Sequence, residues 1–210
     1  MKINNTLLFD LDGVIIDTES QYDVFWKQAG EKYQVGIDHF ERVVKGTTLP
    51  NIISRYFSHL PEEEQQRLME ANHAFDLQMT YDFIPGAKSF LDAVKNHGIK
   101  TGLVTSSGDA KLKKVFDVLS LDAYFDTVVS ADRIREGKPN PMCYLLAAKD
   151  LDARPEECIV FEDSFQGIEA GNRAGMRVVG LYTTNPKASI VEKVWKAIPH
   201  FDGFTLQHLI

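Results

Sequence analysis

Thr6-Leu7-Leu8-Phe9-Asp10-Leu11-Asp12-Gly13-Val14 is an apolar run that ends in two aspartates one residue apart. Thr6 to Phe9 reads as a buried strand, because the run is short, apolar and closed by turn residues. At its end two carboxylates crowd one place while Gly13 bends the chain away. Such charges repel, and holding them together calls for a cation or a shared proton. The structural alternative is a plain strand-end turn, where Asp and Gly are common.

Working outward, the chain from Ile84 onward alternates strands and helices. Pro85-Gly86 opens a helix carrying Ala87, Phe90, Leu91 and Val94 on one face, and Gly98 closes it. Thr101 to Val104 reads as a strand ending at Thr105-Ser106-Ser107-Gly108. Leu112, Val115, Phe116 and Leu119 then mark a helical stripe. Further strands are predicted at Thr127 to Val129, Cys158 to Phe161 and Arg177 to Leu181, the last clear one. Helices are predicted from Pro141 to Lys149 and from Ser164 to Ala174. Apolar strands alternating with amphipathic helices imply an α/β fold, a Rossmann-like doubly wound parallel sheet covered on both faces. Ligands of such sheets bind at the carboxyl ends of the strands. Asp10, Asp12, Thr105, Ser106, Glu162 and Asp163 all fall there.

The stretch from Asp17 to Phe83 differs, with no convincing buried strand. A helix is predicted over Glu19 to Tyr33, with Tyr22, Val24, Phe25, Trp26 and Ala29 as its apolar surface. Another starts at Pro61-Glu62-Glu63-Glu64, with proline in the first turn and acids facing the helix dipole, and continues through Leu68, Ala71 and Phe75. The expected organisation is an α/β catalytic core of residues 1–16 and 84–210 with a helical cap, residues 17–83, inserted after the first strand. The two crossings would form a hinge.

With 210 residues, 44% of them hydrophobic, the chain can bury one sizeable core with a smaller inserted unit. The net charge of −7 and the lack of a basic stripe exclude a phosphate-backbone binder, so no nucleic-acid partner is expected. No apolar stretch reaches the roughly 20 residues that span a bilayer, and no membrane partner is expected. Met1 to Asn5 leaves no room for a signal peptide before the first strand. Cys143 and Cys158 read as small buried hydrophobes of a reducing compartment, so a cytoplasmic location is expected. The six histidines form no metal-ligand spacing and read as structural or solvated.

Four motifs follow in order: DLDGV at Asp10–Val14, LVTSS at Leu103–Ser107, GKPNP at Gly137–Pro141 and VFEDSFQGIEAG at Val160–Gly171. Together they resemble the haloacid dehalogenase-like superfamily, in the branch of small phosphatases and β-phosphoglucomutase with a helical cap. The resemblance covers nearly the whole chain. It implies a Mg²⁺-dependent phosphohydrolase acting on a small phosphorylated metabolite, a sugar phosphate or similar, and a monomer is expected. Elementary chemistry agrees, because a carboxylate attacking an anionic phosphate ester needs its repulsion screened.

Asp10 is then the nucleophile, forming an aspartyl-phosphate. Asp12 is the acid–base, and the resemblance implies that its backbone carbonyl also ligates the metal. Asp163, supported by Glu162, is the remaining carboxylate for Mg²⁺, although the pair also suits an N-cap for the helix at Ser164. Thr105 offers a hydroxyl and Ser106 a backbone N–H to phosphate, or these residues simply cap a helix. Lys138 reads as the one clear cation facing several acids. Lys45, Gly46 and Thr47 match the place where such caps reach the substrate, and equally read as a glycine turn between two helices.

Two positions depart from the β-phosphoglucomutase pattern. Tyr22 stands where that pattern has a histidine, and Leu49 where it has an arginine gripping a second phosphate. Hydrolysis is therefore expected, with mutase action as the alternative, and a non-catalytic binding protein as a third reading that the complete Asp10, Asp12, Lys138 and Asp163 set argues against.

Overall fold

The computed structural model describes residues 6–210. The expectation about Met1 to Asn5 lies outside the described residues. Strand β1 (Thr6–Phe9) is followed by four helices, α1 (Glu19–Lys32), α2 (Phe40–Val43), α3 (Leu49–Tyr56) and α4 (Glu62–Asp76). Then come α5 (Ala87–Asn96), β2 (Thr101–Val104), α6 (Asp109–Leu119), β3 (Thr127–Val129), α7 (Met142–Asp150), β4 (Cys158–Glu162), α8 (Phe165–Arg173), β5 (Arg177–Leu181), α9 (Lys187–Ile190) and β6 (Lys196–Ile198). The strands form one sheet in the order β3-β2-β1-β4-β5-β6, and every pairing is parallel. This is the Rossmann-like α/β fold the apolar runs imply.

Residues along each strand alternate between two cores. Leu7, Phe9, Leu103, Ile159, Phe161, Val179 and Leu181 pack with α5 and α6. Leu8, Val104, Cys158, Val160 and Val178 pack with α7 and α8. Burial on both faces explains why these strands read as continuous apolar runs. Phe9 pairs in register with Phe161, and their rings stack with centroids 4.7 Å apart and planes 6° apart. Both are fully buried, each contributing about 1.5–3 kcal/mol of apolar burial.

The helices α1 to α4 make a third cluster of their own, around Trp26, Phe40, Val44, Ile52, Ile53, Phe57 and Leu68. The chain leaves the sheet after Ile16 and returns at Phe83, and these two residues bridge to each other. β5 is the last strand that is clear in the sequence. The structure adds β6, a three-residue edge strand that is only half-buried and so carries no apolar run. Both cysteines are buried and free. Among the described residues, no helix is long and apolar enough to cross a membrane.

Candidate active site

β1 lies between β2 and β4, where the sheet changes its direction of build-out, and a crevice opens at the carboxyl ends of such neighbours. Asp10 and Asp12 follow β1, Thr105 follows β2, and Glu162 and Asp163 end β4. A cavity of about 310 Å³ opens above them, within the size range of small-ligand sites. Its other wall comes from the first four helices and includes Tyr22, Lys45, Gly46, Leu49, Asn72 and Asp76.

The two aspartates sit in different surroundings. Asp10 is buried, and its Oδ1 accepts from Lys138 Nζ at 2.5 Å. The same ammonium donates to Glu162 Oε1 at 2.6 Å and lies 5.3 Å from the Tyr144 ring centroid. One lysine is thus shared between two buried carboxylates. Burial raises the Asp10 carboxyl well above its usual range, and the Glu162 charge adds to this while Lys138 opposes it. Burial alone would lower Lys138, but Asp10 and Glu162 hold it protonated, above the usual lysine value.

Glu162 is fully buried and completely engaged. Besides Lys138, Tyr144 donates to its Oε1 at 2.9 Å, while the amides of Asp163 and Ser164 and the Ser164 hydroxyl donate to Oε2, each at 3.0 Å. The Ser164 hydroxyl also caps α8, accepting from the Gly167 amide. The cap expected from the acidic pair is therefore supplied by Ser164.

Asp10, Glu162 and Asp163 are all buried, with ligand oxygens within 4.8 Å of one another. Asp163 is raised well above the usual carboxylate range by burial, then by the charges of Glu19, Glu162 and Asp10, while a hydrogen bond from Thr184 opposes the shift. Gly13, at φ +75°, leaves room for this group: a Cβ there would lie 2.2 Å from Asp163 Oδ2. A buried, oxygen-only set with excess negative charge fits a hard divalent cation such as Mg²⁺. Glu162 is the most heavily hydrogen-bonded of the three.

The Asp12 carboxylate is not part of that trio. Burial would raise it, but the Lys111 charge and hydrogen bonds from Lys111, Thr18 and Ser107 hold it below the usual value. Lys111 Nζ lies 2.5 Å from Asp12 Oδ1 and is almost fully buried. The expectation that Lys138 is the one cation among these acids is therefore corrected. Lys111 directly precedes Leu112 of the apolar stripe of α6 and is not among the site residues expected from sequence. The available signal is its spacing: it stands four residues before Val115, which is fully buried.

Thr105 is buried, and its hydroxyl accepts from the Ser107 amide at 3.0 Å. The Ser106 hydroxyl donates to the Gly46 carbonyl at 2.9 Å, so this phosphate candidate also touches the helical segment. Lys45 is held by Glu19 and Asp23, each at 2.8 Å. Gly46, at φ +74°, rests against Ser164, and Thr47 lines the cavity. Tyr22, which reads as part of an apolar helix face, donates to Asp76 at 2.6 Å. Of the histidines, His73 lines the cavity.

The chain as a whole is similar to known proteins. A "Phosphorylated carbohydrates phosphatase" of Thermotoga maritima is 30% identical over 194 residues, covering 89% of each chain. A "Beta-phosphoglucomutase" of Bacillus subtilis is 30% identical over 192 residues, covering 86% of this chain and 84% of that one. The crystal structure of β-phosphoglucomutase from Clostridium difficile superposes with a TM-score of 0.82 at 28% identity, covering 98% of this chain and 95% of that one. The family profile of haloacid dehalogenase-like hydrolases matches residues 7–181. With the family matched over most of its length and its acids gathered at the strand ends, the chain belongs to the haloacid dehalogenase-like hydrolases and is a phosphatase-type enzyme of that family.

Proposed function

We propose that the protein hydrolyses a small phosphomonoester, a sugar phosphate or similar metabolite, through an aspartyl-phosphate on Asp10, with Mg²⁺ as cofactor. The observation that carries this reading is the division between the two strand-end aspartates: Asp10 with Lys138 and the acidic trio, Asp12 with Lys111, Thr18 and Ser107. Two carboxylates in different environments suit a nucleophile and an acid–base.

Asp10, Asp163 and the Asp12 main chain would hold the metal, with Glu162 beside them. When bound, the ion screens the repulsion between carboxylate and phosphate. Lys138 holds Asp10 Oδ1 and adds positive charge beside the transferring group, leaving Oδ2 to attack phosphorus. Lys111 holds Asp12 ionised in the free protein, so Asp12 takes up a proton from solvent as the anionic phosphate arrives beside it. As the new P–O bond forms, the bond to the leaving oxygen breaks and Asp12 gives that oxygen the proton. Asp12 then takes a proton from water, which attacks phosphorus, frees phosphate and restores Asp10. Thr105 and Ser106 receive the remaining phosphate oxygens at the end of β2.

The first four helices, residues 17–83, act in this reading as a cap that closes over the site. Lys45, Gly46 and Thr47 meet the leaving group there, and closure excludes water. Mutase action is the second reading, favoured by the β-phosphoglucomutase relatives. It must hold a bisphosphate. The cavity's cap-side wall presents Leu49 and Tyr22, and its lysine, Lys45, already serves Glu19 and Asp23. That wall supports hydrolysis of a monophosphate.

The test is phosphate release across a panel of phosphorylated metabolites with Mg²⁺, together with borohydride trapping of the acyl phosphate. Phosphate release is expected, with tritium from labelled borohydride retained at position 10 on the alcohol that reduction of the aspartyl-phosphate leaves. Conversion of a hexose 1-phosphate to its isomer without free phosphate would overturn hydrolysis in favour of the mutase. Lack of turnover on the whole panel would return the protein to a binding role.

A further inference from the structure

Lys111 reaches the site from α6, whose sequence shows only an apolar stripe. Its ammonium donates to Asp12 Oδ1 at 2.5 Å, the Tyr22 hydroxyl at 2.9 Å and Ser107 Oγ at 3.1 Å, and lies 4.7 Å from the Tyr22 ring centroid. Tyr22 passes its own hydrogen on to Asp76 Oδ1 at 2.6 Å. The donors thus run one way, from Lys111 to Tyr22 to Asp76, with each hydroxyl used once as acceptor and once as donor. Lys114, one turn further along α6, donates to the Leu77 carbonyl just beyond α4 and lies 5.6 Å from the Tyr81 ring centroid.

These partners come from both parts of the molecule. Asp12 and Ser107 belong to the sheet's loops, Tyr22 to α1 and Asp76 to α4. A buried ammonium is costly unless its hydrogens are all engaged. Here the full set exists only when the helical segment lies against α6. Swinging that segment away at Ile16 and Phe83 removes Tyr22 and Asp76 and leaves Lys111 with Asp12 and Ser107 alone.

We propose that Lys111 is a positioning residue that clasps the helical segment to the sheet and, through the same ammonium, fixes the Asp12 carboxylate where it meets the leaving group. Closing the cap and presenting Asp12 are then one event. The proposal rests on the reading of Asp12 as acid–base. Its structural half, the clasp, is measurable without turnover.

Lys111→Met keeps the length of the side chain and removes the charge. Two substrates separate positioning from general damage: an alkyl phosphate, whose leaving oxygen needs a proton, and p-nitrophenyl phosphate, whose phenolate leaves with little help. Removing the charge also lets Asp12 protonate more readily, so any loss on the alkyl ester reads lost positioning against that gain. The expected result is a kcat loss of about tenfold to a hundredfold on the alkyl ester, less than about threefold on the aryl ester, and KM within about threefold on both. Amide hydrogen exchange should rise in Glu19–Lys32 and Glu62–Asp76 and stay unchanged in β1 and β4. Equal losses on the two esters, or unchanged exchange in both helices, overturn the proposal. If Lys111→Met loosens the strands as well, Tyr22→Phe decides, since it removes one hydroxyl: raised exchange in α4 supports the clasp and unchanged exchange overturns it. Asp12→Asn is run alongside. Should it keep full turnover of the alkyl ester, the acid–base reading fails, while exchange in the Lys111 variant still judges the clasp.

Discussion

Gly167→Ala tests the buried network from an unexpected side. Gly167 is the third residue of α8, and an interior helical glycine is ordinarily about 1 kcal/mol less favourable than alanine, so propensity alone makes the change stabilising. The site reverses the sign. A Cβ on Gly167 would lie 1.7 Å from Glu162 Oε1 and 1.9 Å from its Cδ. The carboxylate must retreat by roughly 1.5 Å, more than a hydrogen bond tolerates. It is fully buried and holds Lys138, Tyr144, Ser164 and two main-chain amides, so it has no solvent to move into. Breaking a buried charged contact costs about 3–5 kcal/mol, which leaves a net loss of about 2–4 kcal/mol after the helix gain. For a chain of this size that lowers Tm by about 5–15 °C in calorimetry. Turnover should fall with it, because the displaced Glu162 releases Lys138 from its place beside Asp10. A Gly167→Ala protein that melts at or above the parent temperature would refute the claim that Glu162 is clamped there.

Other outcomes follow from the same geometry. Asp10→Asn should abolish turnover and leave no side chain reduced by borohydride at position 10, and Asp12→Asn should cut kcat on alkyl esters by about 10²–10⁴; a near-normal rate in either would remove its assigned role. Mg²⁺ at about a hundredfold over its Kd should stabilise the protein by about 2.7 kcal/mol, read as a rise in Tm that chelation reverses; no rise would argue against the acidic trio as its site. In the metal-free protein, the raised Asp10 and Asp163 carboxyls bind protons more tightly folded than unfolded. Metal-free stability should therefore fall as pH rises from about 4 through those elevated values, and Mg²⁺ should remove the slope; a Tm that climbs with pH without metal would contradict these shifts. Gly46→Ala places a Cβ 2.4 Å from Ser164 Oγ at φ +74°, so kcat/KM should drop by roughly tenfold and Tm should fall with it, because Ser164 caps α8 and donates to Glu162; unchanged kinetics would separate this turn from the site.

The sheet was legible where burial writes itself into sequence. Thr6–Phe9, Thr101–Val104, Cys158–Glu162 and Arg177–Leu181 are covered on both faces, and each is a run of mostly apolar residues. Lys196-Ala197-Ile198 forms an edge, is half-buried and reads as loop. The strand-end acids were legible because several of them, Asp10, Asp12, Glu162 and Asp163, fall together at the carboxyl ends of strands, where ligands of such sheets bind. What the sequence concealed was pairing across long separations. Lys111 reaches Asp12 across 99 positions, and Tyr144 reaches Glu162 from a predicted helix that carries none of the four motifs beyond its first residue. Both side chains look ordinary in their own helices, and only the packing of α6 and α7 against the sheet turns them toward the acids.

The stacked Phe9 and Phe161 rings stand directly behind Asp10 and Glu162, one on each of two adjacent strands. Neighbouring strands lie about 4.8 Å apart by main-chain geometry alone. The rings prevent slippage, since moving either strand by one residue would turn a phenylalanine toward the opposite face. The spacing between the two acids is therefore measured out by the backbone of the sheet, not by the loops that follow it. Such a ruler is indifferent to what is built above it. Under the hydrolysis proposed for this site, another helical roof could be set above the sheet, and another molecule chosen with it, while the spacing of the two acids stayed as it was.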